Sequence, residues 1–234
     1  MQVNVPCGVA GTIASIQIGS DLGSTHRDGR NQVKKALAVA GLVLGACAST
    51  VALADDVARA RLTNYMCASC HGPDGHSAST GFPKLAGQQA AYLKQQLIAF
   101  KERKRDDPPA RAYMYGMASQ LTEEMMQELA SYYSSKSPMK ASAVDVSQNE
   151  LGKSIFEKGV ASIGVPACQL CHGPNAEGRD MYPRLAGQYP EYLLKQMIFF
   201  QSGSRANAPL MHAVSEQMTF EQIQAVVNYA ASRK

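Results

Sequence analysis

Apolar residues recur at helical spacing through most of the chain beyond residue 55, and no stretch alternates polar and apolar positions as a strand would. In the segment 88–103, Tyr92, Leu93, Leu97 and Phe100 share one helical face. These patterns predict an all-α protein. The predicted helices cover residues 55–66, 88–103, 122–134, 149–160, 192–200 and 219–232.

Two threonines predict the first turns of two of these helices. Thr122 precedes two glutamates, whose negative charge favours the positive end of a helix. Thr219 is followed three residues later by Gln222, which is the spacing of a capping box. We therefore expect helices to begin directly after both threonines.

The chain beyond residue 55 contains an internal repeat. The sequence FPKLAGQ at 82–88 recurs as YPRLAGQ at 182–188, and the match continues into the helix that follows. A period near 100 residues is longer than the repeats of solenoid proteins, so the pattern indicates a duplicated domain. We predict a first domain at 55–135 and a second at 149–234, joined by a linker at 136–148 that is rich in small residues.

Residues 1–54 predict an N-terminal extension that ends in a secretory signal peptide. Two lysines precede an apolar run at 36–46, and an A-x-A cleavage site ends at Ala54. The apolar run is shorter than a typical transmembrane helix, so we interpret it as part of a signal peptide. We expect cleavage after Ala54, which leaves Asp55 as the mature N-terminus. A secretory leader of this kind predicts a periplasmic protein.

A second interpretation of the leader concerns Cys47. Residues 44–47 resemble a lipoprotein signal, in which Cys47 would be lipidated and would attach the protein peripherally to a membrane. The two interpretations differ in the mature N-terminus, Asp55 or a lipidated Cys47.

Charge gives no support for nucleic-acid binding. The formal net charge is +4, and there is no dense basic run. The longest charged cluster, at 101–107, is mixed in sign and predicts a solvated helix end.

The repeat also contains the motif C-x-x-C-H twice, at 67–71 and 168–172. This motif is typical of c-type haem attachment, in which both thiols bond to the porphyrin and the histidine binds the iron. A covalently held haem would also supply apolar interior to domains of only about 80 to 90 residues. The candidate attachment and proximal residues are Cys67, Cys70, His71, Cys168, Cys171 and His172.

Zinc binding and thiol redox chemistry are the alternatives for these cysteines. A zinc site would need a second ligand pair, which the segments after the motifs lack. A thioredoxin-like site needs a βαβ context, which the helical pattern does not provide. The duplication, with Gly-Pro after each motif, favours two haems.

The ligand on the other side of each iron is sought among the methionines, because few histidines remain. Met114 and Met211 both lie eight residues before a capping threonine, and they follow their motif histidines by 43 and 39 residues. If both domains ligate alike, only this pair qualifies. Met117 in the first domain and His212 in the second remain alternatives.

Two repeated prolines predict hydrogen-bond partners for the motif histidines. Pro83 lies 12 residues after His71, and Pro183 lies 11 residues after His172. A proline carbonyl could accept the imidazole N–H and fix the orientation of the ring.

Together, the two C-x-x-C-H-G-P motifs, the repeated aromatic-Pro-Lys/Arg-Leu-Ala-Gly-Gln segment and the late methionines resemble the dihaem cytochrome c4 family. The resemblance covers residues 55–234 and implies two tandem class I cytochrome c domains related by a pseudo-twofold axis. It implies His71 and His172 as proximal ligands and Met114 and Met211 as distal ones. It also implies a periplasmic electron carrier between respiratory complexes and a terminal haem–copper oxidase.

We therefore expect a dihaem electron carrier and not an enzyme. With a histidine and a methionine on each iron, no position remains for a substrate. A dihaem peroxidase with one five-coordinate haem, and a membrane-anchored subunit of a larger oxidoreductase complex, are the competing hypotheses.

Overall fold

The structure, a computed structural model, describes residues 65–138, 140–141 and 149–234. Within these ranges the regular secondary structure is helical, and backbone pairing between extended residues is limited to two isolated bridges. The all-α prediction is therefore confirmed. The predicted signal peptide, Cys47, most of the first helix and most of the linker lie outside the described residues.

The first half of the described chain contains four α-helices and one π-helical turn. Its long helices are α2 and α4, and a π-helical turn precedes the short helix α3. The bounds are α1 to residue 71, α2 Ala90–Lys101, the π turn Ala110–Met114, α3 Tyr115–Ser119 and α4 Glu123–Ser134.

In the second half, α7 and α9 correspond to α2 and α4, and the single helix α8 replaces the π turn and α3. The first helix of this half ends directly before Gly159, whose φ of +75° lies in the left-handed region that terminates helices. The bounds are α5 Asn149–Lys158, a 3₁₀ turn Ala161–Ile163, α6 Gln169–His172, α7 Pro190–Gln201, α8 Pro209–Ser215 and α9 Phe220–Ser232.

Both predicted helix starts are confirmed. The Thr122 hydroxyl accepts a hydrogen bond from the backbone N–H of Met125. Thr219 and Gln222 form the predicted capping box, in which each side chain accepts from the other residue's backbone N–H. These caps orient α4 and α9, the last helices of the two halves.

Each half has its own buried core. In the first half α2 packs against α4, and in the second half α9 packs against α5 and α7. The crossing of α5 and α9 is close at Gly152, where a Cβ atom would collide with the backbone carbonyl of Ala225. No helix in the described ranges is long and apolar enough to cross a membrane.

The two halves meet through reciprocal contacts between the repeated segments 82–88 and 182–188. Gln88 Nε2 donates to the carbonyl of Arg184, and Gln188 Nε2 donates to the carbonyl of Lys84, both at 2.9 Å. The backbone N–H groups of Arg184 and Lys84 donate in return to Oε1 of Gln88 and Gln188, at 2.7 and 3.1 Å. Equivalent residues thus exchange equivalent bonds across a pseudo-twofold axis.

Candidate haem-binding sites

The two motif histidines are buried and hydrogen-bonded in the same way. His71 Nδ1 lies 2.9 Å from the carbonyl oxygen of Pro83, and His172 Nδ1 lies 2.9 Å from that of Pro183. A carbonyl can only accept, so Nδ1 carries the proton and the lone pair of Nε2 is available to a metal. The predicted proline contacts are confirmed in both halves.

The environment also keeps both imidazoles neutral. Burial lowers the pKa of His71 and of His172, and the proline carbonyls oppose this effect only in part. Neutral imidazole is the form that binds a metal ion.

A glycine after each motif histidine ends the helix that carries it. Gly72 and Gly173 both have a φ of +80°, which side chains rarely adopt. Their N–H groups still bond back to Ala68 and Gln169, at 2.8 and 3.0 Å. Each motif therefore occupies a helix C-terminus, where the chain turns away directly after the histidine.

The four motif cysteines are half-buried and form no disulfide. Burial raises the pKa of the Cys67 thiol, and it raises the pKa of Cys168 to about 11. Both stay protonated near neutral pH, which disfavours a thiolate redox pair. Within the described ranges, no three His, Cys, Asp or Glu side chains cluster in a way that could hold a metal ion.

The methionine candidates differ in burial. Met114 closes the π turn and packs, half-buried, against the core of the first half, whereas Met117 is 42% exposed. Met211 is half-buried on α8. Its neighbour His212 places Nδ1 2.6 Å from the carbonyl oxygen of Phe200, so that ring nitrogen is already engaged. Burial thus favours Met114 over Met117 as the candidate iron ligand. The hydrogen bond to Phe200 gives His212 a structural contact instead.

The residues present fit haem. Each half offers two thiols outside any disulfide, a buried imidazole with a free Nε2 and a half-buried thioether. In addition, Arg184 Nε is buried without a hydrogen-bond partner among the described residues. A group that carries carboxylates, as haem does, could supply that partner.

Sequence reasoning missed a buried polar cluster between the halves. Arg105 donates to Gln96, Gln196 and Asp107, each at 2.9 Å. Arg205 makes matching bonds to both glutamines. The solvated helix end predicted at 101–107 is therefore wrong for Arg105 and Asp107, which are buried. The repetition of Arg105 as Arg205 and of Gln96 as Gln196, one period apart in the sequence, was the available signal.

In each half, a buried histidine bonded to a proline carbonyl lies beside two cysteines of a C-x-x-C-H motif. These two sites define the class of the protein, a helical c-type cytochrome with two haem sites. Residues 60–136 match the cytochrome c family model. The chain is 34% identical over 207 residues to cytochrome c4 of Azotobacter vinelandii, an alignment that covers 84% of this chain and 98% of that relative. The chain belongs to the cytochrome c4 family.

A solved structure and a further relative extend this result. The structure of cytochrome c4 from Acidithiobacillus ferrooxidans matches with a TM-score of 0.67 at 35% identity, over 71% of this chain and 98% of that one. A thiosulfate dehydrogenase electron acceptor of Thiomonas intermedia is 36% identical over 177 residues, 71% of this chain and 78% of that relative. The protein is thus a cytochrome c4-like electron-transfer protein with two tandem cytochrome c domains and two covalently attached haem c groups.

Proposed function

We propose that this protein is a periplasmic carrier of single electrons between respiratory donors and a terminal haem–copper oxidase. The observation that carries the proposal is the identical proximal geometry of the two halves, in which each buried histidine bonds through Nδ1 to a proline carbonyl. In this proposal, Cys67, Cys70, His71 and Met114 hold the first haem. Cys168, Cys171, His172 and Met211 hold the second.

The side chains have separate roles in electron transfer. Bound haem supplies a reversible one-electron couple, and ligation by histidine and methionine raises its potential. The proline carbonyls keep the imidazole protons on Nδ1 and hold the rings in place. A histidine and a methionine bound together to each iron would leave no position for a substrate, which supports a carrier over a peroxidase.

The sulfur-to-iron absorption band at the red edge of the visible spectrum tests the ligands. We expect the oxidised protein to show intensity for two methionines per two haems. Met114→Ala and Met211→Ala should each remove about half of it, while Met117→Ala, the matched control, should leave it unchanged. Intensity for one methionine would instead support the peroxidase-like alternative.

The mature protein in this proposal begins at Asp55, with domains at 55–135 and 149–234 and a linker at 136–148. Mass spectrometry of the native N-terminus tests its location and attachment. A free Asp55 supports a periplasmic protein without an anchor, and a lipidated Cys47 supports the anchored-subunit alternative.

A second candidate donor is a thiosulfate-oxidising dehydrogenase. The likeness to a thiosulfate dehydrogenase electron acceptor favours it. Stopped-flow reduction of the oxidised holoprotein by such an enzyme, with and without thiosulfate, tests this candidate. Fast reduction that requires thiosulfate supports it, and reduction no faster than that of an unrelated c-type cytochrome excludes it.

A further inference from the structure

We propose that Gln88 and Gln188 are positioning residues that tune the proximal histidine of the opposite half. Gln188 acts on His71, and Gln88 acts on His172. The inference rests on the proposed function in one respect, namely that these histidines are the proximal ligands of the two irons.

A single peptide group links His71 to Gln188. The carbonyl of the Pro83–Lys84 peptide faces His71 Nδ1 at 2.9 Å. The N–H of the same peptide donates to Gln188 Oε1 at 3.1 Å. The peptide that orients the first histidine is therefore bonded at its other end to the second half.

The second half has the mirror arrangement. The carbonyl of the Pro183–Arg184 peptide faces His172 Nδ1 at 2.9 Å, and the N–H of that peptide donates to Gln88 Oε1 at 2.7 Å. Each histidine is thus two hydrogen bonds away from a glutamine of the other half.

The two glutamines are held rigidly. Gln88 is 5% exposed and Gln188 is 3% exposed. Besides the bonds across the interface, each Oε1 accepts from the next residue's backbone N–H, at 2.9 Å in Gln88 and 3.0 Å in Gln188. Because each Oε1 accepts two N–H groups and each Nε2 donates to a carbonyl, flipping either amide would break every one of these bonds.

The physical link is polarisation along the hydrogen-bonded chain. When a peptide N–H donates, its carbonyl becomes a better acceptor, because hydrogen bonds in series strengthen one another by about 10–30%. A stronger acceptor draws the imidazole proton and makes the ring a more basic ligand. A more basic ligand stabilises ferric iron, so each glutamine lowers the potential of the haem in the opposite half.

A purely structural role predicts a different result. If the glutamines only joined the halves, replacing one would loosen the interface and admit water. Water favours the more charged ferric state, so the potential would fall. Loss of the polarising bond should raise it instead. Both the sign of the shift and the haem affected separate the two roles.

The test uses the holoprotein with Gln188→Leu, Gln88→Leu and a control, Gln89→Leu. Leucine is close to glutamine in volume and makes no hydrogen bond, so the substitution removes the bond to the peptide N–H. Gln89 also crosses the interface, by donating to the carbonyl of Glu177 at 3.0 Å, but it bonds to neither of the Pro–Lys and Pro–Arg peptides through its side chain. If a leucine variant does not fold, methionine, which is closer in shape to glutamine, replaces it.

The measurements are the midpoint potential of each haem and the hyperfine-shifted proton signals of the two proximal imidazoles, assigned with Met114 and Met211 variants. Gln188→Leu should favour reduction of the first haem roughly twofold, about 18 mV for a one-electron couple. It should shift the signals of His71 and leave the second haem unchanged. Gln88→Leu should do the reverse, and Gln89→Leu should change neither haem.

Equal shifts at both haems, a shift in the mutated half, a fall in potential, no shift, or a matching shift in Gln89→Leu would each overturn the proposal. Failure of the proposed ligation is a separate outcome. It would appear in the unmodified protein as a missing sulfur-to-iron band or as spectra without histidine ligation.

Discussion

The two halves share their proximal sides but differ on the sides that carry Met114 and Met211. Six residues separate Asp107 from Met114, whereas three separate Asn207 from Met211. The longer connection forms the π turn, and the shorter one forms the regular helix α8. Widened turns of this kind often occur at functional sites. Duplication has thus preserved the histidine and its proline while the methionine segment has diverged.

The buried polar cluster between the halves also differs from one half to the other. Asp107, which is 1% exposed, accepts from Arg105 Nε at 2.9 Å and from the backbone N–H of Ala110, the first residue of the π turn. At the equivalent position Asn207 brings no charge, and Arg205 Nε is buried without a partner among the described residues. The buried arginine of the first half is therefore paired with a carboxylate, whereas that of the second half has none among the described residues.

The largest expected effect comes from removing Asp107. Asp107→Ala leaves Arg105 buried without its carboxylate, and losing one partner of a buried ion pair costs about 3–5 kcal/mol. The change also removes the acceptor at the start of the π turn. Asn207→Ala, the matched control, should cost about 1 kcal/mol, because it removes one long hydrogen bond. Denaturant unfolding of both holoproteins measures the difference.

Equal losses of stability in the two variants would contradict this contrast. That result would mean that the bonds of Arg105 to Gln96, Gln196 and Tyr192 compensate its charge without Asp107.

The next effect concerns how firmly each methionine is held. His212 on α8 is bonded to the Phe200 carbonyl. Gln201 Nε2 donates to the carbonyl of Ser215, the last residue of α8, and to that of Met218. In the first half, residues 111–113 of the π turn itself are exposed. Added imidazole should therefore displace Met114 at roughly tenfold lower concentration than Met211, which corresponds to about one hydrogen bond.

Titration of the oxidised protein with imidazole, followed through the sulfur-to-iron band, measures this order. His212→Phe removes the bond to Phe200 and should bring the two displacement steps together. The prediction is wrong if the variant keeps two steps with the original separation.

The features predicted from the sequence are local, and those it missed depend on contacts between distant residues. Pro83 and His71 are 12 residues apart within one repeat, so their contact could be proposed from spacing alone. Arg105 meets Gln196, 91 residues away, and only the docking of the two halves buries both. A charged segment of mixed sign is usually solvated, and the mark of this interface in the sequence is the repetition of Arg105 as Arg205 and of Gln96 as Gln196.

The smallest expected effect compares the two helix caps. Thr219 takes part in a full capping box with Gln222, so Thr219→Ala should cost about 1.5 kcal/mol. Thr122 makes one longer bond, 3.3 Å to the N–H of Met125, and Thr122→Ala should cost about 0.5 kcal/mol. Thermal unfolding of the two holoprotein variants ranks them. If Thr122→Ala costs as much as Thr219→Ala, the reciprocal bond of Gln222 adds nothing to the stability of its cap.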